Sequence, residues 1–151
     1  MPGKSDTFEQ QLLALIFMGT AIPNLAINAT VAPATVFWLS LHYADPGETG
    51  AAYNSAVQTS NEVSYPGYGR VSLPRTSGGW SLMPGYRVQL LADLLFPKCT
   101  GGTVTATHFG VGMAQTGDGV MLYFGPISPV ITITNSVVPI LTAPNTYITE
   151  D

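Results

Sequence analysis

The sequence predicts an all-β domain, a sandwich, jelly roll or barrel, preceded by a short helical arm. Three observations carry that reading. From Thr35 onward, short runs rich in branched and aromatic residues recur, which suits pleated, half-buried backbone. Glycine and proline breaks such as Pro66-Gly67, Gly78-Gly79 and Gly101-Gly102 separate them. Only one segment, near the N-terminus, carries helical spacing and end signals.

That helix is expected over residues 6–18. Asp6 serves as N-cap with Glu9 in capping-box position, and Gly19 supplies the stop. Phe8, Leu12, Leu15 and Ile16 share one face, while Leu13 and Phe17 lie on the other. A short helix that is apolar all round must be covered on all sides. Phe8, Leu12, Leu13 and Phe17 are therefore candidate contacts to a neighbouring subunit.

Thr35–Leu41 is apolar on both faces and reads as a central strand. Tyr65-Pro66-Gly67-Tyr68 fits a type II turn, with proline at the second position and glycine at the third. Gly69–Leu73 continues as strand. Gln89–Phe96 is rich in leucine but lies between strands and is read as strand. Thr103–Met113 is a long strand in which Gly110 and Gly112 signal a bulge or a close approach. Asp118-Gly119 is a hairpin signal leading into Val120–Phe124. Val130–Thr134, Val137–Leu141 and Thr146–Thr149 complete about eight strands. Residues 1–34 form the helix and extended arm and 35–151 the β-domain, in one compact domain of a size that buries roughly two thirds of its unfolded surface.

Composition restricts function. Charged residues make up 9 % of the chain, against about 25 % in ordinary soluble domains, so little like-charge repulsion keeps neighbours apart. Such a surface suits a packed subunit or a fibre. The net charge is −4, and the five basic residues, Lys4, Arg70, Arg75, Arg87 and Lys98, form no stripe, which argues against direct nucleic-acid binding. Cys99 is the single cysteine, so there is no disulfide framework, and a small buried hydrophobe is the expected role. Leu12–Met18 is continuously apolar but far short of the ~20 residues that cross a bilayer, and Asp6 and Glu9 stand where a signal peptide is basic. No membrane span is expected.

Candidate catalytic groups are few. His42 and His108 lack metal-ligand spacing, and structural packing is the expectation. Asp45-Pro46-Gly47-Glu48 lacks the alternation of a calcium loop and reads as a turn closed by Asp45. Glu62 and Asp93 are conceivable as a glycosidase pair, without an aromatic platform to support it. No phosphate-binding loop or serine elbow occurs. No cofactor and no enzymatic activity are expected. Tyr53, Tyr65, Tyr68, Arg70 and Arg75 suit either an interface or a core, because tyrosine and arginine serve both.

Leu41-His42-Tyr43-Ala44-Asp45-Pro46-Gly47-Glu48, followed by Asn61-Glu62-Val63-Ser64-Tyr65-Pro66-Gly67-Tyr68-Gly69-Arg70, resembles a family of small tailed-bacteriophage virion proteins. Their usual form is Leu-His-Thr-Ala-Asp-Pro-Gly, then Glu-Val-Ser-Tyr-Thr-Gly-Tyr-Ala-Arg. Gly79-Trp80, Phe96–Gly102, Thr107-His108-Phe109-Gly110 and Tyr147–Asp151 agree in order, so the likeness runs from about Thr35 to the end. Tyr43, Pro66 and the stretches Val137–Pro139 and Ala143–Asn145 depart from it.

Members are often labelled tail fibre proteins, and the pattern is also similar to jelly-roll cement proteins of phage heads. The resemblance implies a jelly-roll-like antiparallel sandwich and a non-enzymatic virion role. The chain shows neither repeats nor a coiled coil, which favours cement over fibre. The resulting expectation is a homo-oligomer, dimer or trimer, assembled in the host cytoplasm. It would bind the major capsid protein on the outer head surface, with Arg70 and Arg75 as further contacts and a tail or head-fibre component as the alternative.

Overall fold

The computed structural model describes residues 6–21, 34–47 and 57–150, with the backbone alone for 6–9. The side chain of Phe8, and Glu48 and Tyr53 entirely, lie outside the described residues. The fold is all-β with one short N-terminal helix, as the sequence predicts. Every pairing of defined register is antiparallel. The chain divides into two compact units: residues up to Val36 with Pro74–Asp93 and Thr142–Asp151, and Phe37–Leu73 with Leu94–Leu141.

In the first unit, helix α1 (Asp6–Met18) packs on the strands that follow Arg75 in sequence. Gly19 takes φ +66°, a left-handed value that glycine adopts without penalty, and ends the helix where the sequence places its stop. Arg75 then caps the helix from outside. Its Nε and Nη2 donate to the carbonyls of Ile16 and Leu15, and its Nη1 donates to Ala34 O at 3.3 Å. Carbonyls of a last turn have no helical partner, and a cation there also opposes the helix dipole.

Later strands give this unit a three-stranded sheet. The numbering runs β1 (Val36–His42), β2 (Val71–Pro74), β3 (Trp80–Met83), β4 (Arg87–Leu90), β5 (Leu94–Leu95), β6 (Thr103–Gly112), β7 (Met121–Thr134), β8 (Ile140–Leu141) and β9 (Tyr147–Thr149). The order in the first unit is β3-β4-β9. Leu13 and Phe17 are fully buried in it, and Phe17 meets Trp80 edge to face at 4.5 Å. The apolar helix is thus covered on its Leu13/Phe17 face by the chain's own sheet, while Leu12, Leu15 and Ile16 remain partly exposed.

The second unit contains a four-stranded sheet in the order β2-β1-β6-β7 and a ribbon pairing β5 with β8. β1 is central, as its two apolar faces require, and Leu39 and Leu41 are wholly buried. The Gln89–Phe96 segment is strand at both ends but is broken at residues 91–93.

Two strands expected over Val120–Phe124 and Val130–Thr134 are one continuous β7, despite Pro126 and Pro129. β7 lies at the sheet edge, where a missing N–H removes no ladder bond. The hairpin expected at Asp118-Gly119 does join β6 to β7, but by a longer loop: Met113 N–H bonds Val120 O at 3.1 Å, and Gly117 takes the left-handed φ of +72°. Asp118 instead accepts a hydrogen bond from the Thr59 hydroxyl.

Candidate functional site

His42, Gln58, Glu62, Tyr68 and Arg70 come together in a buried polar cluster at the end of the four-stranded sheet. It begins with the type II turn: Tyr68 N–H bonds Tyr65 O at 2.9 Å, and Gly67 adopts φ +97°. A Cβ on Gly67 would stand 2.7 Å from Lys98 O, so glycine is required there for space as well as for φ. The turn sets Tyr65 and Tyr68 edge to face at 5.2 Å, and Tyr68 stacks on Phe96. Tyr65 donates to Pro97 O at 2.8 Å, and burial pushes its phenol up to about 12. Both tyrosines therefore serve the core.

Tyr68 also donates to Glu62 Oε1 at 2.7 Å and accepts from Leu41 N–H at 3.2 Å. Burial, and then the Glu62 carboxylate, raise its phenol well above the ordinary range, so it stays a donor. Arg70 grips the same carboxylate through Nε and Nη2, each at 2.7 Å. Its remaining donors reach Ala114 O and Gly117 O at 2.9 Å. The two charged side chains are only 3 % and 14 % exposed, so this is a desolvated, bidentate ion pair and not a surface one. The pair ties the β6–β7 loop to the segment before β2.

Beside it lies His42, fully buried. Its Nδ1–H donates to Ser60 O at 2.8 Å, which fixes the neutral tautomer and leaves Nε2 to accept from the Ser40 hydroxyl at 2.9 Å. His42 faces His108 across the β1–β6 ladder, and His108 Nδ1 pairs with Thr107 Oγ1 at 2.9 Å.

Gly110 and Gly112 explain themselves here. A Cβ on Gly110 would approach His42 Nε2 to 2.8 Å, and one on Gly112 would approach Gln58 Cδ to 2.1 Å. Gln58, a residue the sequence does not single out, fills that slot. Its Nε2 donates to Trp38 O and its Oε1 accepts from Ala114 N–H.

Burial lowers the His42 pKa below its ordinary value, with smaller opposing effects from the Ser60 bond and Glu62. A histidine depressed in the fold is protonated first in the unfolded chain. Stability is therefore expected to fall as pH drops below about 6.5, by at most about 1.4 kcal/mol per pH unit, until the folded pKa is passed. Urea titrations between pH 7.5 and 5.5 check this against His42→Asn, whose amide can still donate to Ser60 O. A variant with the same pH slope as the parent would remove His42 as the cause.

This cluster does not present reactive groups. Glu62 is engaged by Arg70 and Tyr68, and Asp93 accepts from Ala143 N–H at 2.9 Å in the other unit. Asp45 closes its turn, accepting from Gly47 N–H at 2.7 Å. The Cys99 thiol is buried and donates to Gly101 O. Among the described residues no three His, Cys, Asp or Glu side chains gather as a metal-ligand set, and no helix is long and apolar enough to cross a membrane.

The predicted contact residues are placed as follows. Arg70 is spent on Glu62, Arg75 on the end of α1, and Leu13 and Phe17 on the first unit's core; Leu12 is half-buried. Exposed apolar side chains also lie on the β5–β8 ribbon. On the β5–β8 ribbon, Leu94 and Leu141 are buried, whereas the neighbouring pair Leu95 and Ile140 is 56 % and 40 % exposed. The ribbon thus has two apolar faces and covers one.

Sequence comparison agrees with a virion origin. A family profile described as "Podophage GP4 fiber I protein gp80" matches residues 3–149. A comparison with curated proteins gives no match.

Proposed function

The chain belongs to the podophage GP4 fiber I protein family, and from that premise we propose that it is a non-enzymatic structural subunit of the virion that builds a fibre by associating with copies of itself. The observation that carries this reading is the outward pair Leu95 and Ile140 on a ribbon whose other face is already buried. Apolar area gains when covered, at about 25 cal/mol per Å². With 9 % charged residues, little on the chain opposes contact with an identical copy. A symmetric dimer or trimer satisfies such a face with one repeated contact.

The polar clusters described above support a scaffolding role. They spend histidine, carboxylate and guanidinium groups on holding loops, which leaves the chemistry of the domain inside it.

A second reading, a head cement protein bound to the major capsid protein on the outer shell, is favoured by the lack of any repeat along the chain. Two measurements separate the readings. Light scattering of the purified chain is expected to give an oligomer that Leu95→Ser with Ile140→Ser dissociates. Quantitative composition of virions is expected to give a small copy number; copies on the order of hundreds, as a shell-covering lattice requires, would replace the fibre with cement. A chain that is monomeric at all concentrations would defeat the self-assembly reading.

A further inference from the structure

The first unit carries a cleft of about 330 Å³ lined by Leu13, Leu82, Met83, Pro84, Tyr86 and Arg87, with Gln10 beside them. That volume is at the lower end of the range for ligand pockets and suits one or two side chains, not a whole helix. Its shape is set by the turn between β3 and β4. Gly85 and Tyr86 both adopt left-handed φ, +81° and +52°. For a bulky residue such as tyrosine this conformation is strained, and strain of this kind concentrates where a loop must present a particular surface.

The walls are apolar and open. Leu82 and Met83 on β3 are 38 % and 37 % exposed, while Leu13 forms a buried floor. Among the described residues β3 is also an edge strand of its sheet. Methionine adapts its shape to what it meets, a property common at surfaces that receive partner side chains.

At one corner stands Arg87, and it is held ready. Its Nη2 donates to Gln89 Oε1 and to Pro144 O, both at 2.8 Å, and its guanidinium lies 3.8 Å from the centre of the Tyr147 ring. These partners are neutral oxygens and a ring face. They orient the cation without neutralising it. Its Nε–H is buried and has no hydrogen-bond acceptor among the described residues. Both Nη2 hydrogens are taken by these partners and Nε is buried, which leaves Nη1 for a carboxylate; a guanidinium already fixed in position binds one with less loss of freedom than a mobile side chain would.

We propose that this cleft is a docking site for an extended acidic-apolar peptide segment of a neighbouring virion subunit, which seats an apolar side chain against Leu82 and Met83 and a carboxylate on Arg87. The occupant follows from the pairing of open apolar walls with an unneutralised cation. A purely apolar segment would leave the charge uncompensated, and a purely acidic one would leave the walls in water. The site rests on the structural-subunit reading above but uses residues separate from the Leu95/Ile140 ribbon, so the two can fail independently.

The test uses the full chain and two small probes, N-acetyl-leucine, which carries the carboxylate, and N-acetyl-leucine amide, which lacks it. Two-dimensional amide NMR titration is expected to shift Leu82, Met83, Tyr86 and Arg87 with the acid. Affinity for the neutral amide is expected to be about tenfold weaker, the loss of one charge-assisted hydrogen bond. Arg87→Gln should abolish the preference for the acid, and Leu82→Ser, at an exposed position, should weaken both probes while leaving the rest of the spectrum in place. Equal binding of the two probes, or shifts elsewhere on the chain, or none, would overturn the site. A chain that oligomerises yet ignores both probes removes the cleft and keeps self-assembly; one that binds the acid selectively but stays monomeric does the reverse.

Discussion

Arg70→Ala is expected to cost about 3–5 kcal/mol of folding stability, among the largest effects of any single side chain in the second unit. The substitution removes four hydrogen bonds at once: two to Glu62 and one each to Ala114 O and Gly117 O. It also leaves the Glu62 carboxylate, 14 % exposed, with Tyr68 as its remaining side-chain donor among the described residues. Desolvation of that orphaned charge, more than the lost attraction, sets the size of the effect. Arg70→Lys should recover little, because a single ammonium cannot span both carboxylate oxygens and two loop carbonyls.

Removing both partners in Glu62→Gln with Arg70→Met should cost less than Arg70→Ala alone, since no uncompensated charge stays behind. Urea unfolding measures all three. A loss below about 1 kcal/mol for Arg70→Ala would mean that the pair behaves as a solvent-screened surface bridge.

The local parts of this cluster were legible in the sequence, and its long-range parts were not. Pro66-Gly67 announces its turn because proline and glycine restrict φ by themselves, with no help from the rest of the fold. Gly19 marks the helix end for the same reason, and α1 spans Asp6–Met18; the side chains of Asp6 and Glu9, read as its cap, lie outside the described residues. The central place of β1 follows from two apolar faces in one run.

Arg70, by contrast, reaches carbonyls 44 and 47 residues away, and Arg75 reaches the helix end 59 and 60 residues back. Nothing in the local pattern distinguishes an arginine that pairs internally from one that meets a partner, which is why interface and core remained equal readings for both. Gln58 gave no signal at all: a neutral polar residue in a polar loop looks solvated until the strand above it is known. The outward Leu95 and Ile140 were hidden by the opposite ambiguity, because a short apolar run does not say which of its faces is covered.

The glycines were the exception, since Gly110 and Gly112 signalled a close approach without revealing what approached. Gly112→Ala tests the answer. Gly112 lacks a left-handed φ, so the effect of a methyl group there is steric and not conformational. The new Cβ would stand 2.1 Å from Gln58 Cδ and 2.5 Å from Gln58 Nε2, distances that no relaxation of a few tenths of an ångström relieves. Gln58 is fully buried, and it must leave its slot. Trp38 O then loses its amide donor and Ala114 N–H its acceptor. Overpacking at about 1–3 kcal/mol, added to two broken bonds at about 1 kcal/mol each, gives an expected loss of about 3 kcal/mol or more.

Gln58→Ala alone should cost about 2 kcal/mol through the same two bonds. Combining it with Gly112→Ala should then be clearly less damaging than the sum, because the introduced methyl group occupies space that the truncated side chain has vacated. A coupling energy of at least about 1 kcal/mol in that direction is the signature of direct contact. Strict additivity of the two losses in urea unfolding would show that Gly112 is needed for some reason other than room for Gln58.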